Sequence, residues 1–287
     1  MISSNSLNSV YDIPILAYHK VSPQTEFGLT TIHPDTFQKH IDYLYDHGYR
    51  TVTFEDLTDP VFSLPAKPVI LTFDDAYDCI YQYARPVMNK YAFRSVLFVI
   101  TGYIGKKNTW EAFRIQQKHF HLSEAHIKEL HREGHEIGSH SVTHPFMSTL
   151  PAAKAEAEIR QSKADLQDLV GAEIMSFCYP YGKYSPRIAR ILQTNNFQFA
   201  TVNRGIFNST RPNTLDLPRS SIYSSDSLKI LTQKIQYSNR LNLPRVADWL
   251  IQRGAMTGIL RKSISQILRH RVTGMKPDRI NNNADIF

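Results

Sequence analysis

Short apolar runs alternate along the chain with longer stretches whose apolar residues recur at helical spacing. The runs fall at 13–18, 51–54, 69–73, 96–101, 136–139, 175–179, 199–202 and, less sharply, 217–222. They are brief, often β-branched or aromatic, and bounded by turn formers, as buried strands are. Between them, 34–47 places Phe37, Ile41 and Leu44 on one helical face behind a proline. Ser123 opens a second predicted helix as N-cap, with His126 where a capping box would carry Glu or Gln. A third, 151–170, is alanine-rich and charged. Strand and helix in alternation predict a parallel sheet with crossover helices. Seven or eight units predict closure into a distorted (β/α) barrel, with an open doubly wound sheet as the alternative.

The pattern changes near 224–227. Beyond it, 246–268 spaces Trp249, Leu250, Met256, Leu260, Ile264, Ile267 and Leu268 among Arg and Lys, broken by Gly254 and Gly258. The predicted division is therefore a barrel over 1–225 and a basic helical extension over 226–287. Of the net charge of +7, six come from 240–287, where nine Lys or Arg face three Asp. Such a tail fits peripheral contact with an anionic membrane, although a solvated helix is the simpler reading. No nucleic-acid motif accompanies it, so nucleic acid is not an expected partner.

Composition narrows the class further. With 287 residues, 42% hydrophobic and 21% charged, the chain can bury a core without staples. No apolar run approaches the roughly 20 residues of a membrane span. The serine- and asparagine-rich start lacks a secretory pattern, so a cytoplasmic or membrane-peripheral place is expected over a secreted one. Cys79 and Cys178 form no metal or disulfide pattern and read as buried thiols.

Chemistry concentrates at two places. Leu71-Thr72-Phe73-Asp74-Asp75 ends an apolar strand in two carboxylates, where unpaired charge is costly. Adjacent strand residues face opposite sides, so both can reach one cavity only at a strand's end. A cation would resolve the electrostatic problem, and a turn or helix cap is the bland alternative. Gly138-Ser139-His140-Ser141-Val142-Thr143-His144-Pro145 sets two histidines four apart, able to clamp one ion. His131 and His135 share that spacing across a helix end and read as surface or outer-sphere residues. One Asp and two His make an open, catalytic type of metal site. His19, the aspartates, His140, Pro180, Tyr181 and Arg219 all follow predicted strands, the end of a β/α barrel where active sites form. Nucleophile-elbow, dinucleotide and phosphate-loop motifs are absent.

At these residues the chain resembles the polysaccharide deacetylases with a NodB homology domain (carbohydrate esterase family four). Thr72-Phe73-Asp74-Asp75, His140-Ser141-Val142-Thr143-His144 and Cys178-Tyr179-Pro180-Tyr181-Gly182 stand for its three motifs, with core motifs within 68–221. Tyr18-His19-Lys20-Val21 is similar to a segment of the poly-N-acetylglucosamine deacetylase-like subgroup. The resemblance implies a distorted barrel and one divalent ion, usually zinc, on Asp75, His140 and His144. It implies Asp74 as general base, and an oxyanion site at the Tyr181 backbone beside Pro180. An acetylated glycan is the implied substrate, and Tyr18, Tyr103 and Tyr181 are candidate sugar-facing aromatics. Two positions depart from the family. Cys178 stands where an Arg usually pairs with the base, and His270 is the only histidine after His144. Arg219 and His19 are the expected replacements, as charge partner and general acid. An O-acetyl ester, a non-sugar amide, or a catalytically silent sugar-binding homologue are the competing functions.

Overall fold

The computed structural model describes residues 10–24, 29–109, 119–203 and 213–236. These lie within the first of two compact units, Met1–Trp249. Among the described residues, eleven strands run in order as β1 (Ile15–Tyr18), β2 (Lys20–Val21), β3 (Thr31–Ile32), β4 (Arg50–Thr51), β5 (Pro68–Phe73), β6 (Val96–Val99), β7 (Glu136–Ser139), β8 (Ser176–Cys178), β9 (Phe199–Val202), β10 (Leu217–Pro218) and β11 (Ser220–Ser221). The helices are α1 (Pro34–Asp46), α2 (Arg85–Asn89), α3 (Glu124–Arg132), α4 (Ala152–Val170), α5 (Pro186–Thr194) and α6 (Leu228–Gln236).

Every strand pair is parallel, and the main sheet runs β10-β9-β8-β7-β6-β5-β1-β11. Its two ends are one segment. Leu217 and Pro218 pair with β9, while Ser220 and Ser221 pair with β1. Residues 217–221 thus close the sheet on itself, and the expected (β/α) barrel is the observed fold rather than the open alternative. It is distorted beside β5, which meets β4 at its start and β6 at its end on the same side. The run at 51–54 is cut short because Thr53 and Asp56 bond each other's backbone N–H, turning the chain.

Strand alternation sorts the side chains. Leu16, Leu71, Leu97, Ile137, Phe177 and Ala200 point outward into the main cluster with Phe37 and Ile41 of α1, Ile159 and Leu166 of α4, and Leu192 of α5. Ile15, Ile70, Val96, Phe98, Cys178, Phe199 and Leu217 fill the lumen. Gly138 is required there, because a Cβ would stand 2.6 Å from Ser176 Oγ and 2.7 Å from the Phe98 ring.

Several predicted helices appear as expected. Ser123 accepts from His126 N at the start of α3, and α4 ends at left-handed Gly171. Pattern reading did not anticipate α2 with its preceding π turn at Ile80–Ala84, α5, or the small β2–β3 sheet. Helix α6 lies past the expected boundary at 225, yet Leu231 and Ile235 are in the main core cluster. The rest of the expected basic extension lies outside the described residues. His135 corrects the surface reading: it is buried, and its Nδ1 accepts from Ser95 N at 3.0 Å. Burial holds it near neutral imidazole, with a pKa lowered to about 4. Cys79 and Cys178 are buried free thiols, as expected. Among the described residues, no helix is long and apolar enough to cross a membrane.

Candidate metal centre and active site

Lumen periodicity carries Thr72, Asp74, Phe98, His140, Cys178 and Arg219 to one end of the barrel, after the strands' C-terminal ends. The chain leaves β5 through two successive left-handed residues, Asp75 (φ 66°) and Ala76 (φ 50°). That reversal turns both carboxylates toward the same site. It is held from the other side by 120–122: Leu122 N donates to Ala76 O at 2.8 Å, and His121 Nδ1 donates to Asp75 O at 2.6 Å. His121 gave no signal in the sequence, because its segment forms no strand and pairs only through isolated bridges, His121 with Tyr77 and Phe120 with Lys107.

Asp75, His140 and His144 converge. His140 Nε2 stands 3.6 Å and His144 Nε2 3.8 Å from Asp75 Oδ1, and all three ligand atoms lie within 4.8 Å of one another. Ligands about 2.0–2.2 Å from a tetrahedral zinc sit only slightly closer together than this. His140 Nδ1 donates to Cys178 O at 2.8 Å, which leaves Nε2 as the ring's lone-pair atom. Burial lowers the His140 pKa despite Asp74 and Asp75. Burial, with His140 adding to it, holds His144 well below the usual imidazole value. Neutral imidazoles are what a cation requires, so the donor set fits a divalent ion.

Beside it, Asp74 and Arg219 form a buried pair. Arg219 Nη1 and Nη2 each donate to one Asp74 oxygen at 2.7 Å. The same guanidinium reaches Thr72 Oγ1 at 2.9 Å, Asn203 Oδ1 at 2.8 Å and Cys178 Sγ at 3.1 Å. Asp74, His140 and Cys178 also cluster closely enough to suit a metal. Arg219 already supplies the cation beside Asp74 and Cys178, so that cluster is the pair's lining. Burial alone would raise the Asp74 carboxyl, but the charge and hydrogen bonds of Arg219, helped by His19 and His140, hold it well below the usual carboxylate range. His19 Nε2 is 3.8 Å from Asp74 Oδ2, on a partly open side chain.

The structure brings seven of the expected residues together: His19, Asp74, Asp75, His140, His144, Tyr181 and Arg219. Tyr181 is left-handed (φ 59°) in the turn Pro180–Gly182, its ring stacked on Phe146 at 3.9 Å and 4.5 Å from His144. Pro180 is buried and opens that turn. Tyr18 is a correction. It is fully buried among Phe37 and Phe73, with its hydroxyl 3.2 Å from His40 Nδ1, so it is core. Asn203, a partner of Arg219, was not singled out in the sequence, and Thr72, another partner, was read only as part of its motif; the lumen phase shared by Thr72 and Asp74 was the available signal for its role.

Known proteins resemble this chain in sequence and in fold. The family profile described as polysaccharide deacetylase matches residues 63–200. The Bacillus subtilis (strain 168) protein YxkH, named as a polysaccharide deacetylase, is 28% identical over 190 residues, 65% of this chain and 62% of its own. The poly-β-1,6-N-acetyl-D-glucosamine N-deacetylase of Staphylococcus aureus (strain MRSA252) is 23% identical over 172 residues, 56% of this chain and 57% of its own. The chain thus spans about three fifths of the length of these two relatives. Among solved structures, the Streptococcus pyogenes deacetylase PplD in complex with acetate superposes with a TM-score of 0.66 at 27% identity, covering 78% of this chain and 97% of that one. The barrel and the buried Asp-His-His triad accord with these matches, and residues 63–200 carry the polysaccharide deacetylase signature, which supports the resemblance of the chain to the deacetylases with a NodB homology domain, carbohydrate esterase family four.

Proposed function

We propose that the protein is a zinc-dependent deacetylase removing N-acetyl groups from an N-acetylglucosamine-containing polysaccharide or glycan precursor. The observation that supports this most is the pairing of an open Asp75-His140-His144 triad with a second carboxylate, Asp74, that is buried, ionised and adjacent. When bound, zinc would polarise the acetyl carbonyl and make water more acidic. The chain's own residues do the rest. Asp74 accepts the proton of the attacking water, and Arg219 fixes the carboxylate's orientation through two parallel bonds. Water adds to the carbonyl carbon, and the Tyr181 N–H stabilises the developing oxyanion. The C–N bond then breaks as His19 gives a proton to the departing amine, releasing acetate and a free amino sugar. Tyr181 and Phe146 offer an aromatic face beside the triad. The staphylococcal relative's named substrate and the acetate named with PplD support the same chemistry.

Metal analysis tests the reading. Purified chain should hold about one zinc per molecule, and His140→Ala should lose it. Wild type without a stoichiometric ion overturns the proposal.

A further inference from the structure

The loop that carries the two histidines is itself held by a neighbouring helix. Residues 141–144 are left-handed at Ser141 (φ 66°) and His144 (φ 55°). Neither is glycine, so this geometry persists only where its surroundings enforce it. The grip comes largely from one face of α4. Glu158 Oε2 accepts from both Val142 N and Thr143 N at 2.9 Å, and Oε1 accepts from Thr143 Oγ1 at 2.7 Å. One turn on, Ser162 Oγ is 2.7 Å from Ser139 Oγ, at the base of the loop. Asp165 Oδ2 accepts from Thr101 Oγ1 at 2.8 Å. Thr101 in turn uses its backbone N–H on Ser141 O, and Gly102 uses its own on Val142 O. A side chain on Gly102 would place its Cβ 2.6 Å from that carbonyl. Glu158, Ser162 and Asp165 are spaced i, i+4, i+7, one stripe of the helix. The adjoining stripe, Ala155, Ile159 and Leu166, is sunk in the main core.

We propose that α4 is the positioning element of the metal centre, with Glu158 as the positioning residue that presets the His140–His144 separation. The inference rests on the zinc reading above and goes beyond it to a residue that touches neither ion nor substrate. Because Glu158 satisfies two adjacent backbone N–H groups at once, its loss frees the 142–143 peptides to rotate. His144 then no longer points where His140 and Asp75 require it. Charge is secondary to geometry here: Gln in its place can still accept both N–H groups through oxygen and can donate to the Thr143 hydroxyl.

Zinc affinity, measured by competition with a chromogenic chelator, separates the outcomes. Glu158→Ala should weaken zinc binding by about tenfold or more, while Glu158→Gln stays within about threefold of wild type. At saturating zinc the Ala variant should recover most of its turnover, because no reacting group has been removed. If Glu158→Ala does not fold, Thr143→Val, which removes only the hydroxyl arm, should weaken zinc by about twofold to fourfold. Folded Glu158→Ala with wild-type affinity, or Gln as weak as Ala, overturns the positioning role while leaving the zinc reading intact. Wild type that binds no zinc overturns both.

Discussion

Asp74 sits between two nitrogen groups of different kinds, the Arg219 guanidinium and the His19 imidazole 3.8 Å away. The pair with Arg219 is almost fully withdrawn from water, at 3% and 2% exposure. Removing one partner of such a pair strands the other, which typically costs about 3–5 kcal/mol. Arg219→Met should therefore lower the unfolding free energy by about that much in the metal-free chain. Arg219→Lys should recover only part of it, since a point charge cannot bridge both Asp74 oxygens, Thr72 and Asn203. Denaturant titration of the three proteins checks this, and equal stabilities would show that the pair is not a structural constraint. His19 makes a different claim. As general acid it should matter most when the leaving group is a poor one. His19→Ala is expected to reduce amide turnover by about a hundredfold or more and to affect an activated acetyl ester far less. Equal losses on both would assign His19 to binding or structure. The aspartates and metal histidines were legible in the sequence because their spacing is local. Arg219 was legible through its place after a predicted strand and the gap left by Cys178, and Tyr18 was misread because a core tyrosine and a ligand-facing one look alike until burial is known.

At the level of elements, strand phase decides what each end of the barrel can do. On β7 the lumen-facing sequence runs from Glu136 at one end to His140 just past the other. Glu136 is fully buried, and Oε2 accepts from Glu55 N at 3.1 Å. Burial, then the nearby Glu55, pushes its carboxyl up to about 8 from a normal value of 4.5. The folded chain therefore keeps a proton that the unfolded chain releases between those values. Stability from this group is present below pH 4.5 and is lost as pH rises toward 8. Glu136→Gln, which mimics the protonated acid, should stabilise the fold by at least about 1 kcal/mol at pH 8 and progressively less toward pH 5. Thermal unfolding across that range is the measurement, and a pH-independent effect would contradict the assignment. The long periodic helices were visible in the sequence, as were the apolar strands. Helices α2 and α5 were not. They are five and nine residues long, too short for periodicity to stand out. The turn at Thr53 was hidden because side-chain capping of a backbone ends a strand without changing its apolar character.

For the whole molecule, closure is the decisive event. A short segment, 217–221, joins β9 to β1 and at its midpoint delivers Arg219 to the lumen, so completing the barrel and completing the buried pair are one step. Helix α6 follows at once and adds Leu231 and Ile235 to the core, which a sequence boundary drawn at 225 separated from the barrel. That boundary looked natural because the last predicted strand ends just before it, yet the end of the strands is not where the core ends. The central claim is that this barrel end hydrolyses an N-acetyl group with Asp74 as base beside a zinc-binding triad. Acetate release from β-1,6-linked N-acetylglucosamine oligomers and chito-oligosaccharides, by zinc-loaded wild type and by Asp74→Asn, tests it most directly. Wild type should release acetate from at least one of these glycans, lose that activity on chelation and regain it with zinc. Asp74→Asn should keep its zinc yet be slower by about a hundredfold or more. Zinc-loaded wild type that releases no acetate from either glycan, or Asp74→Asn with undiminished activity, would contradict the account.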